Sequence, residues 1–221
     1  MSNILDIECK SALQFFGTVT ASISHEINNV LAIINENAGL LEDFALMADK
    51  GQPIDPKRLK ALAGKIATQI QRADSIVKNM NKLAHSVDTP VKRINLNDLI
   101  ELMIALAMRF ASMRGVSLER NTSKNPVFIT TNDFFLENLL WLCLVFFMDA
   151  AGHDKVVTLN AEEVEDHVVI RLSRLDNLKN VLCSGSAGFQ DEGLLGILKG
   201  KLNINTEGGE VSLILPKNIN H

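Results

Sequence analysis

Two stretches of the chain repeat apolar residues at intervals of three, four and seven positions. In the first, between about residues 10 and 48, they fall at Leu13, Phe16, Ile23, Ile27, Val30, Ile34, Leu41 and Phe44. In the second, the same spacing runs from Leu59 to Val87. This spacing is typical of long helices that bury one stripe against a neighbour. Residues 49–56 (DKGQPIDP) separate the stretches with helix-breaking Gly and Pro, so we predict an antiparallel helical hairpin.

The predicted hairpin has more apolar surface than one pair of helices can cover. Association of two chains into a four-helix bundle would bury the remainder. The pattern therefore predicts a homodimer.

Beyond Pro90 the pattern changes to short segments of alternating apolar and polar residues. Strands are predicted at VSLER, VFIT, KVVTLNAEE, HVVIRLSR, KLNINTE and EVSLILP, with helices at 97–114, 133–151 and 192–200. The predicted fold class is α+β: a helical hairpin domain at residues 1–90, followed by an α/β sandwich domain at residues 91–221.

Composition excludes several classes of function. The 22 basic and 26 acidic residues are spread along the 221-residue chain and give a net charge of −4 without a basic block, which argues against nucleic-acid binding. Cys9, Cys143 and Cys183 lack the spacing of a metal site or a disulfide framework. The apolar run 139–148 is too short to span a bilayer, and the first ten residues do not read as a signal peptide. We expect a soluble, cytoplasmic protein.

One histidine lies on the polar side of the first predicted helix. It belongs to a series of polar or small residues at helical spacing: Thr18, Ser22, His25, Asn29, Ala32 and Glu36. Periodicity alone leaves two interpretations open, a solvated helix face or an exposed, reactive imidazole.

The sequence His25-Glu26-Ile27-Asn28-Asn29 resembles the H-box of bacterial sensor histidine kinases. In that family the histidine lies on the first helix of a dimeric hairpin and exchanges a phosphoryl group with the aspartate of a response regulator receiver domain. The resemblance implies that His25 is the phosphoacceptor, with Glu26 as a base or orienting group and Asn29 as a contact of the transferring group or of a water. This chain has Val30 where the family usually has proline.

The second half resembles the ATP-binding domain of histidine kinases, but it departs from the family at the nucleotide site. Leu142 and Phe146 replace the two asparagines that include the magnesium ligand of ATP. Residues 174–176 (RLD) replace the start of the glycine-rich box whose aspartate reads adenine, without a carboxylate in register. Of the second glycine-rich box, only 193–196 (GLLG) remains. We therefore expect no ATP binding and no cofactor or metal of the chain's own.

The combined pattern resembles the histidine phosphotransferases of bacterial phosphorelays, of the ChpT type. It implies reversible transfer between receiver-domain aspartates through a phosphohistidine, with Mg²⁺ supplied by the receiver. Residues expected to dock receivers are Ala32, Ile33, Glu36, Lys65, Thr68 and Arg72. Two alternatives stay open: a histidine kinase-like protein with an unorthodox ATP site, and a non-catalytic adaptor or inhibitor of a two-component system.

Overall fold

The computed structural model of the chain describes residues 2–121, 125–184 and 191–220, with side chains from residue 10 onward. It divides into two compact units. One is Thr20–Lys82, and the other combines Met1–Val19 with Leu83–His221.

The helical unit is a hairpin of two long helices, as predicted. Helix α1 spans Ser2–Asp49 and α2 spans Pro56–Ala84. The turn begins at Gly51, whose positive φ of 80° suits a residue without a Cβ. Proline starts α2, where its missing N–H removes no helical hydrogen bond, and Asp55 Oδ1 accepts a hydrogen bond from the Lys57 N–H at 2.9 Å. The turn residues thus stop one helix and start the next.

The apolar stripe that α1 buries differs from the predicted series at its N-terminal end. Ile23 and Val30 are buried as expected, but Leu13 is 72% exposed and Phe16 is 37% exposed. Phe15 and Val19, which the heptad pattern omitted, are buried instead.

The reason is that the first turns of α1 belong to the other unit. The Phe15 ring lies 5.9 Å from Phe134 and 5.8 Å from Trp141, measured between centroids, and Trp141 also packs edge-on against Phe110 at 5.1 Å. Such tilted and edge-on contacts are the favoured geometries of aromatic pairs. In this stretch α1 therefore buries the residues that face these packing partners, and they are not the residues on the heptad stripe of the hairpin.

Within the described residues, the second unit contains two sheets and the remaining helices. Its elements are β1 (Lys92–Asn95), α3 (Leu96–Met113), β2 (Ser117–Arg120), β3 (Phe128–Thr131), α4 (Asp133–Phe147), β4 (Val156–Val164), β5 (His167–Ser173), α5 (Leu178–Cys183), α6 (Glu192–Ile197), β6 (Lys201–Asn205) and β7 (Glu210–Pro216). Strands β1 and β3 pair antiparallel. The larger sheet has the order β2-β4-β5-β7-β6, in which β2 is parallel to β4 and the other pairs are antiparallel.

The core of this unit lies between the larger sheet and the helices. Alternate residues of β4 and β7 are buried, as expected for a sheet with one covered face, and the middle strand β5 is buried at successive positions as well. Helix α4 is buried around most of its circumference, including the fully buried Leu136, Leu140 and Phe147. The side chains of Asn95 and Asn132 cap α3 and α4. The predicted fold class, a long helical hairpin followed by an α/β layer, is confirmed.

Smaller differences from the predicted elements concern the ends of helices. Helix α6 ends at Ile197, before the predicted residue 200, and α5 was not predicted. The regular α-helix of α4 ends at Phe147 and continues as a short 3₁₀ turn, Met148–Ala150. Among the residues that the structure describes, no helix has both the length and the apolarity needed to cross a membrane.

Candidate functional site

His25 lies near the middle of α1 and is exposed to solvent. Ile23, two positions earlier, is buried, and Ile27 is half-buried. Because residues two apart point about 200° apart around a helix, the imidazole lies away from this apolar stripe. A ring in this position is accessible to a macromolecular partner.

The polar series around His25 is not exposed throughout. Thr18, Asn29, Ala32 and Glu36 are exposed, but Ser22 is buried, and its hydroxyl has no hydrogen-bond partner among the described residues. Ser22 is about 60° from His25 around the helix axis, toward the buried side. The exposed series therefore begins at His25 within the hairpin unit.

Glu26 turns toward α2 and not toward its neighbour His25. Its Oε2 atom lies 3.7 Å from Nη2 of Arg72, and the Glu26 side chain is 19% exposed while that of Arg72 is 51% exposed. Consecutive helical residues do not face each other, which explains why the described residues show no hydrogen bond between Glu26 and His25. The carboxylate thus forms an ion pair between α1, the helix that carries His25, and α2.

An open groove of about 690 Å³ lies between the two helices of the hairpin. It is lined by Ile33, Glu36, Asn37, Leu40, Ala61, Gly64, Lys65, Thr68 and Gln69. Small residues on α2 leave this space open, and the Thr68 hydroxyl bends back to donate to the Gly64 carbonyl at 2.9 Å. Asn37 also bonds its own helix, donating to the Ile33 carbonyl at 2.6 Å.

Four of the six residues expected to dock a receiver line this groove: Ile33, Glu36, Lys65 and Thr68. Ala32 is exposed and lies outside the lining, and Arg72 pairs with Glu26. From the Glu26–Arg72 pair, one heptad along each helix leads to Ile33 and Lys65. The groove therefore begins roughly 10 Å along the axis from the level of His25.

The positions where the family resemblance expects magnesium ligands of ATP are apolar and partly packed. Leu142 and Phe146 are half-buried, and the Phe146 ring stacks edge-on against Phe147 with 5.0 Å between centroids. Neither side chain offers an oxygen, which Mg²⁺ requires.

Side chains of the segment that follows β5 pack against the rest of this unit. Leu175 and Leu178 are fully buried, and the latter begins α5. The Asp176 carboxylate lies so close to Gly152 that a Cβ at that glycine would fall 2.1 Å from Oδ2. Residues 174–177, which connect β5 to α5, contain no glycine.

Sequence reasoning missed a cluster of buried polar residues at the start of α4. Asp133, Glu137 and Asn138 are buried, and each has a side-chain oxygen without a hydrogen-bond partner among the described residues. Lys92 Nζ lies 2.6 Å from Asp133 Oδ2. Burial raises the pKa of Glu137 to about 8, the side-chain hydrogen bond with Ser86 opposes this, and the Asp133 charge adds to it. The sequence signal that could have revealed this cluster is the pair of acids Asp133 and Glu137, four positions apart in an otherwise apolar helix.

The two cysteines whose side chains the structure describes differ in burial. Cys143 is buried, and burial raises the pKa of its thiol to about 12, which keeps it protonated. Cys183 is exposed, and the side chain of Cys9 lies outside the described residues. No group of His, Cys, Asp and Glu suited to a metal ion occurs within the described ranges.

Comparison with known proteins gives weak likenesses only. No family model and no curated protein matches the chain. The catalytic domain of histidine kinase ThkA, nucleotide-free, is 14% identical, with a TM-score of 0.49 over 60% of this chain and 99% of that domain. Histidine kinase AdeS of Acinetobacter baumannii is 12% identical, with a TM-score of 0.43 over 87% of this chain and 98% of that one.

A third similar structure is histidine kinase ThkA in complex with the response regulator protein TrrA. It is 21% identical, with a TM-score of 0.46 over 94% of this chain and 64% of that one.

Proposed function

We propose that this chain is a histidine phosphotransferase of a two-component phosphorelay. His25 takes a phosphoryl group from the aspartate of one receiver domain and passes it to the aspartate of another. The observation that carries the proposal is an exposed imidazole in an H-box-like sequence, located one heptad from a groove lined by four residues expected to dock a receiver.

The chemistry needs little from the chain besides this imidazole. A ring nitrogen of neutral His25 donates its lone pair to phosphorus while the bond from phosphorus to the aspartyl oxygen breaks, and that oxygen leaves as a carboxylate. Mg²⁺ held by the receiver would neutralise charge on the phosphoryl oxygens. The rigid hairpin contributes orientation, which is a large part of the catalytic advantage in such transfers.

ATP is not expected to be the phosphoryl donor. We expect Mg²⁺ and ATP to leave the melting temperature of the protein unchanged and to produce no labelling, because Leu142 and Phe146 offer no oxygen ligand. A nucleotide at about 100 times its Kd would stabilise the fold by roughly 2.7 kcal/mol, which thermal unfolding detects. A phosphorylated receiver must label the same preparation. A nucleotide-dependent rise in Tm together with self-labelling would favour the kinase alternative.

Dimerisation through the hairpin is part of the proposal. Leu31 on α1 and Ile70 and Val77 on α2 are large apolar residues between 43% and 55% exposed, and the last two are one heptad apart. We expect Ile70→Glu to weaken the dimer at least about tenfold in Kd, roughly 1.4 kcal/mol, because association would bury the new charge. Sedimentation equilibrium measures this, with the exposed Gln71→Glu as the matched control. Wild-type protein that sediments as a monomer would refute this part.

A non-catalytic adaptor is the second candidate function. The groove favours it, since binding a receiver there does not require a reactive imidazole. In that case His25→Ala would leave both receiver binding and signalling unchanged.

A further inference from the structure

We propose that Arg72 contacts the phosphoryl group carried by His25, and that Glu26 is the positioning residue that holds Arg72 there. The inference rests on the proposed role of His25 as phosphoacceptor. It gives Arg72 a part in the transfer itself, in place of the docking role expected from the sequence.

A phosphoryl group on a ring nitrogen carries negative charge on its oxygens, which a nearby cation would stabilise. Helix α1 cannot supply one, because no Lys or Arg occurs between Lys10 and Lys50. Within the hairpin, the cation must therefore come from α2.

The pairing of the two helices selects Arg72 for this position. Its guanidinium meets the carboxylate of Glu26, the residue next to His25. The neighbouring cations on α2, Lys65 and Lys78, are seven and six residues away, roughly 10 Å and 9 Å along the helix axis. Arg72 is thus the basic residue of α2 at the level of the imidazole.

The contact with Glu26 leaves the guanidinium available. Arginine has five N–H donors in a planar fork that matches phosphate oxygens, and the ion pair engages one side of the group, with half of the side chain still exposed. Glu26 is mostly covered and so is the better fixed of the two partners. A pair this exposed contributes only about 0–1 kcal/mol to stability, so its loss leaves the fold intact.

Arg72 makes and breaks no covalent bond in this scheme. With the small donor phosphoramidate in its –NH₃⁺ form, a ring nitrogen of His25 bonds to phosphorus, the bond from phosphorus to the donor's nitrogen breaks, and ammonia leaves with that bonding pair. The N–H proton of the ring passes to water. Arg72 donates hydrogen bonds to the phosphoryl oxygens throughout.

The test compares the labelling of His25 by phosphoramidate with labelling by a phosphorylated receiver and Mg²⁺, using the full chain. We expect Arg72→Met to lower the first-order rate with both donors by about tenfold or more. Arg72→Lys should retain part of the rate, and Glu26→Gln should lower it by a smaller factor. Lys78→Met, on the same helix and paired with Asp74, is the matched control and should stay within about twofold of wild type.

A purely docking role for Arg72 gives a different pattern. Arg72→Met would then raise the KM for the receiver and leave both the saturating rate and phosphoramidate labelling at wild-type levels, which overturns the inference. If a receiver does not label wild-type His25 but phosphoramidate does, and that rate depends on Arg72, the relay function fails while this inference stands. Circular dichroism verifies folding, and if Arg72→Met is unfolded, Arg72→Lys and Glu26→Gln decide by the same rates.

Discussion

Replacing His25 with alanine is expected to abolish labelling of the protein by a phosphorylated receiver. His25 is the exposed imidazole of the H-box-like sequence, and its ring nitrogen can form a phosphoramidate bond. Because alanine favours helices and the position is exposed, we expect the free energy of unfolding to change by no more than about 0.5 kcal/mol. The measurement is incorporation of phosphate after brief mixing with the receiver, at matched protein concentration.

His85→Ala is the matched control for this experiment. His85 is also exposed, and its Nδ1 atom lies 2.7 Å from Asp88 Oδ2, an arrangement that leaves the second ring nitrogen in solvent. The control should be labelled as fast as wild type. Labelling that survives in His25→Ala and disappears in His85→Ala would move the phosphoacceptor to the second histidine.

The buried acid on α4 is expected to make the sheet unit less stable as pH rises. The pKa of Glu137 is raised from 4.5 to about 8 by burial, so the folded state keeps a proton that the unfolded state releases. The contribution of this group is therefore fully present below pH 4.5 and is lost as pH rises through about 8. Over that interval the free energy of unfolding falls by at most about 1.4 kcal/mol per pH unit.

Substituting Glu137 with glutamine should remove this dependence, since the amide stays neutral at every pH. Urea unfolding followed by fluorescence reports on the correct unit, because Trp141 is the chain's one tryptophan and lies buried on α4, the helix that carries Glu137. We expect the variant to be more stable than wild type at pH 8 and its stability to vary less with pH. Glu119→Gln, at an exposed position of β2, should leave the wild-type slope intact. Equal slopes for wild type and Glu137→Gln would show that the carboxyl is already ionised in the folded protein.

The sequence was sufficient for the main elements because their signals are local. Residues 49–56 hold the glycine and prolines that break a helix, and the strands alternate with period two, so neither depends on distant contacts. The α5 helix escaped prediction because six residues carry too few periodic positions to register.

Features that depend on contacts between distant parts of the chain were harder to predict from the sequence. Phe15 and Val19 lie one position off the heptad series, and only their packing within the second unit explains their burial. The side-chain hydrogen bond between Glu137 and Ser86 joins residues about fifty positions apart in the chain. No period in the sequence encodes such a contact.

The candidate site likewise has one feature that the sequence predicts and one that it does not. The exposure of His25 follows from its helical phase relative to Ile23 and Ile27. The pairing of Glu26 with Arg72 depends on the register of the two helices, which the connecting turn and the packing set together. The sequence predicts that Arg72 lies on α2, but it does not predict that Arg72 contacts Glu26, the residue next to His25.

The central claim is that His25 carries a phosphoryl group received from an aspartate. Its most direct test is mass-spectrometric mapping of the full chain, kept at neutral or alkaline pH to preserve phosphohistidine, after brief mixing with a phosphorylated receiver and Mg²⁺ or with Mg²⁺ and ATP alone. The account predicts a phosphoryl group on the peptide containing His25 in the first mixture and an unmodified peptide in the second. A phosphoryl group found only with ATP, or only on another residue, would contradict it.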